Sequence, residues 1–229
     1  MRFAGLAVGL TATRAIGIAA RARPTGCNGP VMTSSIAAGV AFGGAAGFLL
    51  ILATLHVLKP QLDPSWRLIS EYAIGRLGWL MSLAFVSLAA SCFALHFALG
   101  LSPGGVALSV VALGALGSAL FVGDPTATPW TSQTAAGRLH TVSAALFVLG
   151  FPPAATMVGW DLSGAPAATR SLPAWISLMV WAGFLSFVGS IIFYGAPKCR
   201  FGPQVRIGWQ NRLMMVSYAT WLMIAAWKG

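Results

Sequence analysis

Four side chains of the kinds that bind metals or transfer protons lie near the ends of apolar stretches. Glu71 precedes the second stretch, and Asp124 follows the third. His140 begins the fourth stretch, and His56 lies less than one helical turn from the end of the first. Two imidazoles and two carboxylates can bind zinc and leave one position for a water molecule that the metal would activate. A metal-dependent intramembrane hydrolase is therefore one interpretation, although no HxxxH or HExxH spacing accompanies these residues.

Further polar residues extend this cluster and favour two other interpretations. Ser70 stands beside Glu71, Arg138 precedes the fourth stretch, and Arg212 begins the sixth. Ionisable groups at membrane depth usually pair or line a cavity, so the cluster predicts a pocket that binds or transports a polar or lipid-like small molecule. The structural interpretation is a membrane subunit without a ligand, whose carboxylates pair with Arg76, Arg138 or Arg212. No GxSxG surrounds Ser70, so a helix cap explains this residue better than a nucleophile.

Six apolar stretches must position these residues. The chain has 229 residues, of which 57% are hydrophobic and only 8% are charged, whereas soluble domains are about 25% charged. Each stretch is close to the roughly 20 residues that cross the hydrocarbon core of a bilayer. The sequence therefore predicts an all-α, polytopic membrane protein in which residues 32–229 form a bundle of six transmembrane helices. The predicted spans are 36–58, 77–99, 105–123, 139–160, 174–194 and 210–227.

Charged residues are concentrated in the first, third and fifth connections between these spans. From residue 32 onward, the opposite face carries only two cations, Arg170 and Lys228, and one acid, Asp161. The positive-inside rule then predicts cytoplasmic odd-numbered connections in a multi-pass protein of a bacterial inner membrane. The net charge of +10 is explained by loops that contact anionic lipid head groups, and no nucleic-acid partner is predicted. The eight cations of the odd-numbered connections are Lys59, Arg67, Arg76, Arg138, Lys198, Arg200, Arg206 and Arg212.

The segment 1–31 differs from the rest, because it contains four arginines and no acid. Three interpretations stay open: a misassigned start with Met32 as the first residue, a targeting segment, or a basic amphipathic helix on the membrane surface. If the segment stays on the side of the termini, the cation count becomes eight against six and no longer decides the orientation.

Glycine spacing within the first span predicts a packing face. Gly39, Gly43 and Gly47 recur every four residues, which places them on one side of a helix. Small residues at this spacing let the backbone of a second helix approach closely. We therefore expect these three glycines to form the contact face of the first span.

Three short segments resemble a known family. Residues 70–72 read Ser-Glu-Tyr before the second span, and 124–126 read Asp-Pro-Thr after the third. Residues 137–140 read Gly-Arg-Leu-His where the fourth span opens. In this order the segments resemble the bacterial membrane-protein family called domain-of-unknown-function family 998, over Met32 to the C-terminus. The resemblance implies a six-helix bundle and attention to Ser70, Glu71, Asp124 and His140. It implies no activity.

Overall fold

The structure is a computed structural model that describes residues 29–163, 171–195 and 202–228. These residues form six long helices and contain no strand, which confirms the predicted all-α class. A 3₁₀ helix, Ile69–Ala73, lies in the first connection, and a π-helical turn, Ile191–Gly195, follows the fifth long helix. The long helices are α1 Gly29–Leu58, α2 Gly78–Leu99, α3 Pro103–Leu120, α4 Ala135–Ser163, α5 Ser171–Ser190 and α6 Gly208–Lys228. The three interpretations of the basic segment concern residues that lie almost wholly outside the described ranges.

Length and hydropathy qualify five of the six helices, α1 to α5, as membrane spans. Helix α6 has 21 residues but opens with the polar residues Gln210, Asn211 and Arg212. It nevertheless belongs to the bundle, because it packs against α5 and against α1. The chain is therefore a multi-pass membrane protein built as a six-helix bundle.

The helices form a closed ring. Each helix packs against the next one along the chain, and α6 returns to contact α1. The interior of the ring is filled by large side chains from several helices, including Phe48, Met81, Phe151, Tyr218 and Trp221. Ring closure brings the first and last helices side by side, although their sequences lie more than a hundred residues apart.

The odd-numbered connections lie at one end of the bundle and are bonded to one another. The amide of Ile69 in the first connection donates to Oδ1 of Asn211 at 3.1 Å. The amide of Gly208, where α6 begins, donates to the carbonyl of Ser65 at 3.0 Å. The first connection is thus attached to the start of α6 by bonds from both sides.

The glycine face predicted for α1 is wrong by one position. A Cβ at Gly39 or Gly43 would have no neighbour within 4 Å, and one at Gly47 would make only ordinary contacts. The close approach is at Gly44, where a Cβ would lie 2.5 Å from the carbonyl oxygen of Ser87 on α2. The reason is the rotation of α1 about its axis, which turns a neighbouring stripe toward the core. The buried stripe of α1 consists of Ala41, Ala45, Phe48, Leu52 and Leu55.

Two prolines lie within α4 without ending it. Pro152 has no amide proton, so it leaves the carbonyl of Val148 without its helical partner. The hydroxyl of Tyr218 on α6 donates to this carbonyl at 3.0 Å. A side chain of α6 thereby satisfies a backbone group that the helix itself cannot satisfy, as burial in a bilayer requires.

Candidate functional site

Arg212 on α6 is the most highly bonded side chain at the odd-numbered end, and it is only 5% exposed. Its Nε donates to Nε2 of His56 at 2.6 Å, and its Nη2 donates to the hydroxyl of Tyr72 at 3.3 Å. Nδ1 of His56 lies 2.7 Å from the carbonyl of Leu52, which can only accept. Nδ1 therefore carries the ring proton, and Nε2 is the acceptor for Arg212. In this arrangement His56 is neutral.

The third nitrogen of the Arg212 guanidinium, Nη1, bonds to backbone carbonyls. Nη1 donates to the carbonyls of Arg67 at 2.8 Å, Gly208 at 2.9 Å and Pro64 at 3.2 Å. The first connection can come this close because residue 208 is glycine: a Cβ there would lie 2.3 Å from the carbonyl oxygen of Pro64. Arg212 consequently fastens the first connection to α6.

No acidic side chain pairs with Arg212. All four acids of the chain lie within the described residues, and none is at ion-pairing distance from the guanidinium. Asp63 is the acid that responds to it electrostatically. Hydrogen bonds from Ser65 hold the pKa of the exposed Asp63 carboxyl below its usual value, and the charges of Arg212 and Arg67 lower it further. Arg212 is therefore a buried cation whose bonded partners are all uncharged.

Lys59 is a second buried cation, and it follows directly after α1. Its Nζ donates to the carbonyls of Tyr72 at 2.7 Å and Ile74 at 2.9 Å, and the residue is 5% exposed. Burial lowers the pKa of Lys59, because removal from water disfavours its charged form. Its hydrogen bonds fold the first connection back over the end of α1. Lys59 and Arg212 thus contact Tyr72 from two directions, the first at its carbonyl and the second at its hydroxyl.

Glu71 is 2% exposed and forms the ion pair of this region. One carboxylate oxygen pairs with Nη1 of Arg67, one helical turn earlier. The other accepts the amide of Thr126 in the third connection at 2.8 Å. Glu71 pairs with an arginine, as the structural interpretation expects. Its partner is Arg67, however, which is not one of the three arginines that were predicted. Its charge is therefore already balanced and does not compensate Arg212.

Asp124 and Thr134 together form the start of α4. The carboxylate of Asp124 accepts the amide of Thr134 at 2.7 Å, and Oγ1 of Thr134 accepts the amide of Gly137 at 2.9 Å. A Cβ at residue 137 would lie 2.0 Å from the Asp124 carboxylate, so only glycine fits there. Negative charge and oxygen acceptors at a helix start satisfy amides that have no helical partner. Asp124 contributes to helix capping in this way.

His140 and Arg138 also make local contacts. Nδ1 of His140 lies 2.8 Å from the carbonyl of Phe121, the residue that follows α3. The imidazole ring packs on Gly123, where a Cβ would come within 2.7 Å of a ring carbon. Arg138 donates to the carbonyl of Gln133 at 3.2 Å. Both side chains join α4 to the preceding connection, and His140 is buried there.

The structure does not bring the four predicted zinc ligands together. The described residues contain no group of three or more His, Cys, Asp or Glu side chains that could hold a metal ion. His56 is bonded to Arg212, and Glu71 to Arg67, whereas Asp124 and His140 bond to residues of the α3–α4 region. The expected cap at Ser70 is wrong, because this residue lies inside the 3₁₀ helix. The residues that precede the 3₁₀ helix and α2 are Leu68 and Leu77, and neither side chain forms a cap.

A cleft of about 230 Å³ lies between α1 and α6, and two of the predicted residues, His56 and Arg212, line it. Its walls are mainly apolar and include Leu49, Ala53 and Val216. His56 and Arg212 supply the polar groups, and the Trp209 ring, 58% exposed, lies beside them. A larger cleft between α1 and α2 is lined by apolar side chains alone, from Ile36 to Phe97. Only the α1–α6 cleft therefore combines an apolar wall with a charged group among the clefts described.

The model of a family described as "Protein of unknown function (DUF998)" matches residues 42–228. The chain belongs to the DUF998 family. No curated protein and no solved structure matches it. Because the family description names no activity, the function of this DUF998 protein must be argued from the geometry of its own residues.

Several residues of the site in this DUF998 protein were not singled out by the sequence. Lys59 and Arg67 stood among the cations of the first connection, and Tyr72 appeared only within the Ser-Glu-Tyr segment. One signal could have identified Lys59: it follows an apolar span directly, where a lysine must either reach water or bond to nearby backbone. The contact between Glu71 and Thr126 carries no such signal, because it depends on how two distant loops meet.

Proposed function

We propose that this DUF998 protein binds an anionic amphiphile in the cleft between α1 and α6. The acidic head group would lie at Arg212, and the hydrocarbon chain would lie along the apolar walls. The observation that carries the proposal is the position of Arg212, a buried cation without an acidic partner at the polar end of an apolar cleft.

Charge balance is the first support. A charge removed from water is costly unless it is paired, and buried charges are normally paired or bound to metals. Arg212 bonds only to an imidazole, a hydroxyl and carbonyls, and buried Lys59 bonds only to carbonyls. The one buried carboxylate nearby, that of Glu71, is already paired with Arg67. A bound anion in the cleft would supply the negative charge that Arg212 lacks.

The membrane setting is the second support. The cleft lies between two helices of a multi-pass membrane protein, and its walls are mainly hydrocarbon. A chain of CH₂ groups gains about 0.8 kcal/mol for each one that it removes from water, so an apolar wall favours a molecule with a tail. A small hydrophilic anion would use the cation and leave the walls without a partner.

The proposed setting is a bacterial inner membrane with the odd-numbered connections in the cytoplasm. Its support is the eight-to-two distribution of cations from residue 32 onward. In this orientation Arg212 would lie near the leaflet that carries anionic lipids. The structural-subunit alternative has its own support, since Glu71, Asp124 and His140 all join connections to helices. The described residues offer the hydrolase alternative no comparable arrangement.

The experiment is a thermal-unfolding titration of the purified full chain in neutral detergent. The probes are oleate, phosphatidylglycerol, phosphatidylcholine and inorganic phosphate. We expect oleate or phosphatidylglycerol to raise the melting temperature of the wild type, and phosphatidylcholine and phosphate to leave it unchanged. Arg212→Ala should lose the increase. Arg206→Ala should retain it, because Arg206 is an exposed cation of the same end that does not line the cleft.

A second pair of variants tests the cleft without altering Arg212. Ala53→Phe places a ring in the cleft wall, and Ala145→Phe places the same ring on an exposed position of α4. Only Ala53→Phe should abolish stabilisation by the anionic amphiphile. Equal stabilisation of the wild type, Arg212→Ala and Ala53→Phe would reject the binding function and leave the structural subunit as the better explanation.

A further inference from the structure

The three nitrogens of Arg212 are held to very different extents. Nη1 has two protons and three carbonyl acceptors, and Nε has one proton and a short bond to His56. Nη2 has two protons, yet among the described residues it has one acceptor, the Tyr72 hydroxyl, at 3.3 Å. Nη1 and Nε therefore fix the guanidinium in place, and Nη2 is the nitrogen with capacity for a further acceptor.

Tyr72 has a hydroxyl donor that is also available for a further acceptor. Its hydroxyl accepts from Arg212, and its own proton has no acceptor among the residues that the structure describes. The side chain is 1% exposed, so water is not freely available to take that proton. Its ring is held independently of the hydroxyl: it lies 5.1 Å from the His56 ring and 5.7 Å from the guanidinium carbon of Arg212. Tyr72 thus presents a fixed, buried donor beside the lightly bonded Nη2.

Two buried donors that lie side by side, here 3.3 Å apart, suit a negatively charged oxygen. Hydrogen bonds to a charged acceptor are shorter and about twice as strong as neutral ones. An oxyanion placed between Nη2 and the Tyr72 hydroxyl would replace one long bond to an uncharged acceptor by two bonds to a charged acceptor. No other bond of Arg212 would have to break, and the first connection would stay attached to α6.

From this geometry we propose that Tyr72 is a second ligand-binding residue and that Nη2 of Arg212 and Oη of Tyr72 bind the oxyanion together. This inference rests on the proposed function and assigns the chemistry of the head group, a carboxylate or a phosphate oxygen. A protonated amine has no acceptor for either donor, and a neutral oxygen would accept from both only through the weaker bonds of an uncharged acceptor. Lysine at position 212 would not replace arginine, because its single ammonium cannot bond to Tyr72, His56 and the carbonyls in a planar arrangement.

The test is the affinity of Tyr72→Phe for oleate and for phosphatidylglycerol, with Tyr218→Phe as the matched control. Tyr72→Phe keeps the ring contacts and removes only the hydroxyl. We expect it to bind the preferred anionic probe at least about tenfold more weakly, since a hydrogen bond to a charged group contributes about 1.5–3 kcal/mol. Tyr218→Phe should keep the wild-type affinity, because the Tyr218 hydroxyl bonds to the Val148 carbonyl and not to Arg212. Weaker binding of oleate identifies a carboxylate, and weaker binding of phosphatidylglycerol identifies a phosphodiester.

Unchanged affinity in Tyr72→Phe, together with lost binding in Arg212→Ala, would overturn the role of Tyr72 and leave the proposed function intact. Absence of binding in the wild type would overturn both. A spectroscopic readout does not depend on variant stability: the chain has three tyrosines, so ¹³Cζ-tyrosine NMR resolves few signals. Adding the anionic probe to the wild type should shift the Tyr72 signal and leave that of Tyr218 in place. An unmoved Tyr72 signal at saturating probe would also contradict the inference.

Discussion

Nε of Arg212 lies 2.6 Å from Nε2 of His56, which joins the first turns of α6 to the last turn of α1. This bond closes the ring of helices at the end that carries the odd-numbered connections. The same two side chains form the polar end of the cleft between the two helices. One contact therefore contributes both to ring closure and to the candidate binding site, and variants must distinguish loss of fold from loss of ligand.

Glu71→Gln should lower stability without changing ligand affinity. The amide still accepts from Thr126 but cannot pair with the Arg67 cation. Arg67 is partly exposed and screened by solvent, so we expect a loss of about 1–2 kcal/mol in the free energy of unfolding. Chemical denaturation in detergent measures it, and Asp63→Asn at an exposed site of the same connection is the control. Equal unfolding curves for Glu71→Gln and the wild type would show that this ion pair contributes nothing.

Of two neighbouring glycines in α1, only one should lose stability when it is replaced by alanine. A Cβ at Gly44 would lie 2.5 Å from the Ser87 carbonyl, so Gly44→Ala must push α1 away from α2, at a cost of about 1–3 kcal/mol. Gly43→Ala meets open space and should stay within about 0.5 kcal/mol of the wild type. The measurement is the unfolding free energy of both variants. A larger loss for Gly43→Ala than for Gly44→Ala would place the helix contact on the wrong side of α1.

Tyr218→Phe should lower stability, because it removes the donor that compensates for the missing amide proton of Pro152. The variant keeps the stacking on Phe151, at 4.2 Å between ring centroids, but leaves the Val148 carbonyl without a donor. We expect a loss of about 1 kcal/mol, as for other interhelical hydrogen bonds in membranes. Pro152→Ala supplies an amide proton to the same carbonyl. The double variant should therefore lose less stability than the sum of the two single variants, and strict additivity in this double-mutant cycle would argue against the relation.

Local features of the sequence were sufficient to predict the six-helix architecture. The first predicted span begins seven residues after its helix, and the other five begin and end within four residues of theirs. Apolar length and loop charge are properties of contiguous sequence, so they can be read before any contact is known. Composition and order also led to the correct family, through short segments at the span ends. The clustering of polar residues at one end of the bundle follows from the same alternation of spans and connections.

Hydropathy and span length thus determined the helices, their order and the end at which the polar residues lie. Tertiary structure alone decided the partners: Glu71 bonds to Arg67 and Thr126, His56 to Arg212, and α1 meets α2 at Gly44. The physical reason is that a partner depends on the rotation of each helix about its axis and on the path of each loop. A rotation of one residue, about 100°, exchanges the buried side of a helix for a neighbouring one, and in a chain this uniformly apolar no hydropathy pattern records that rotation.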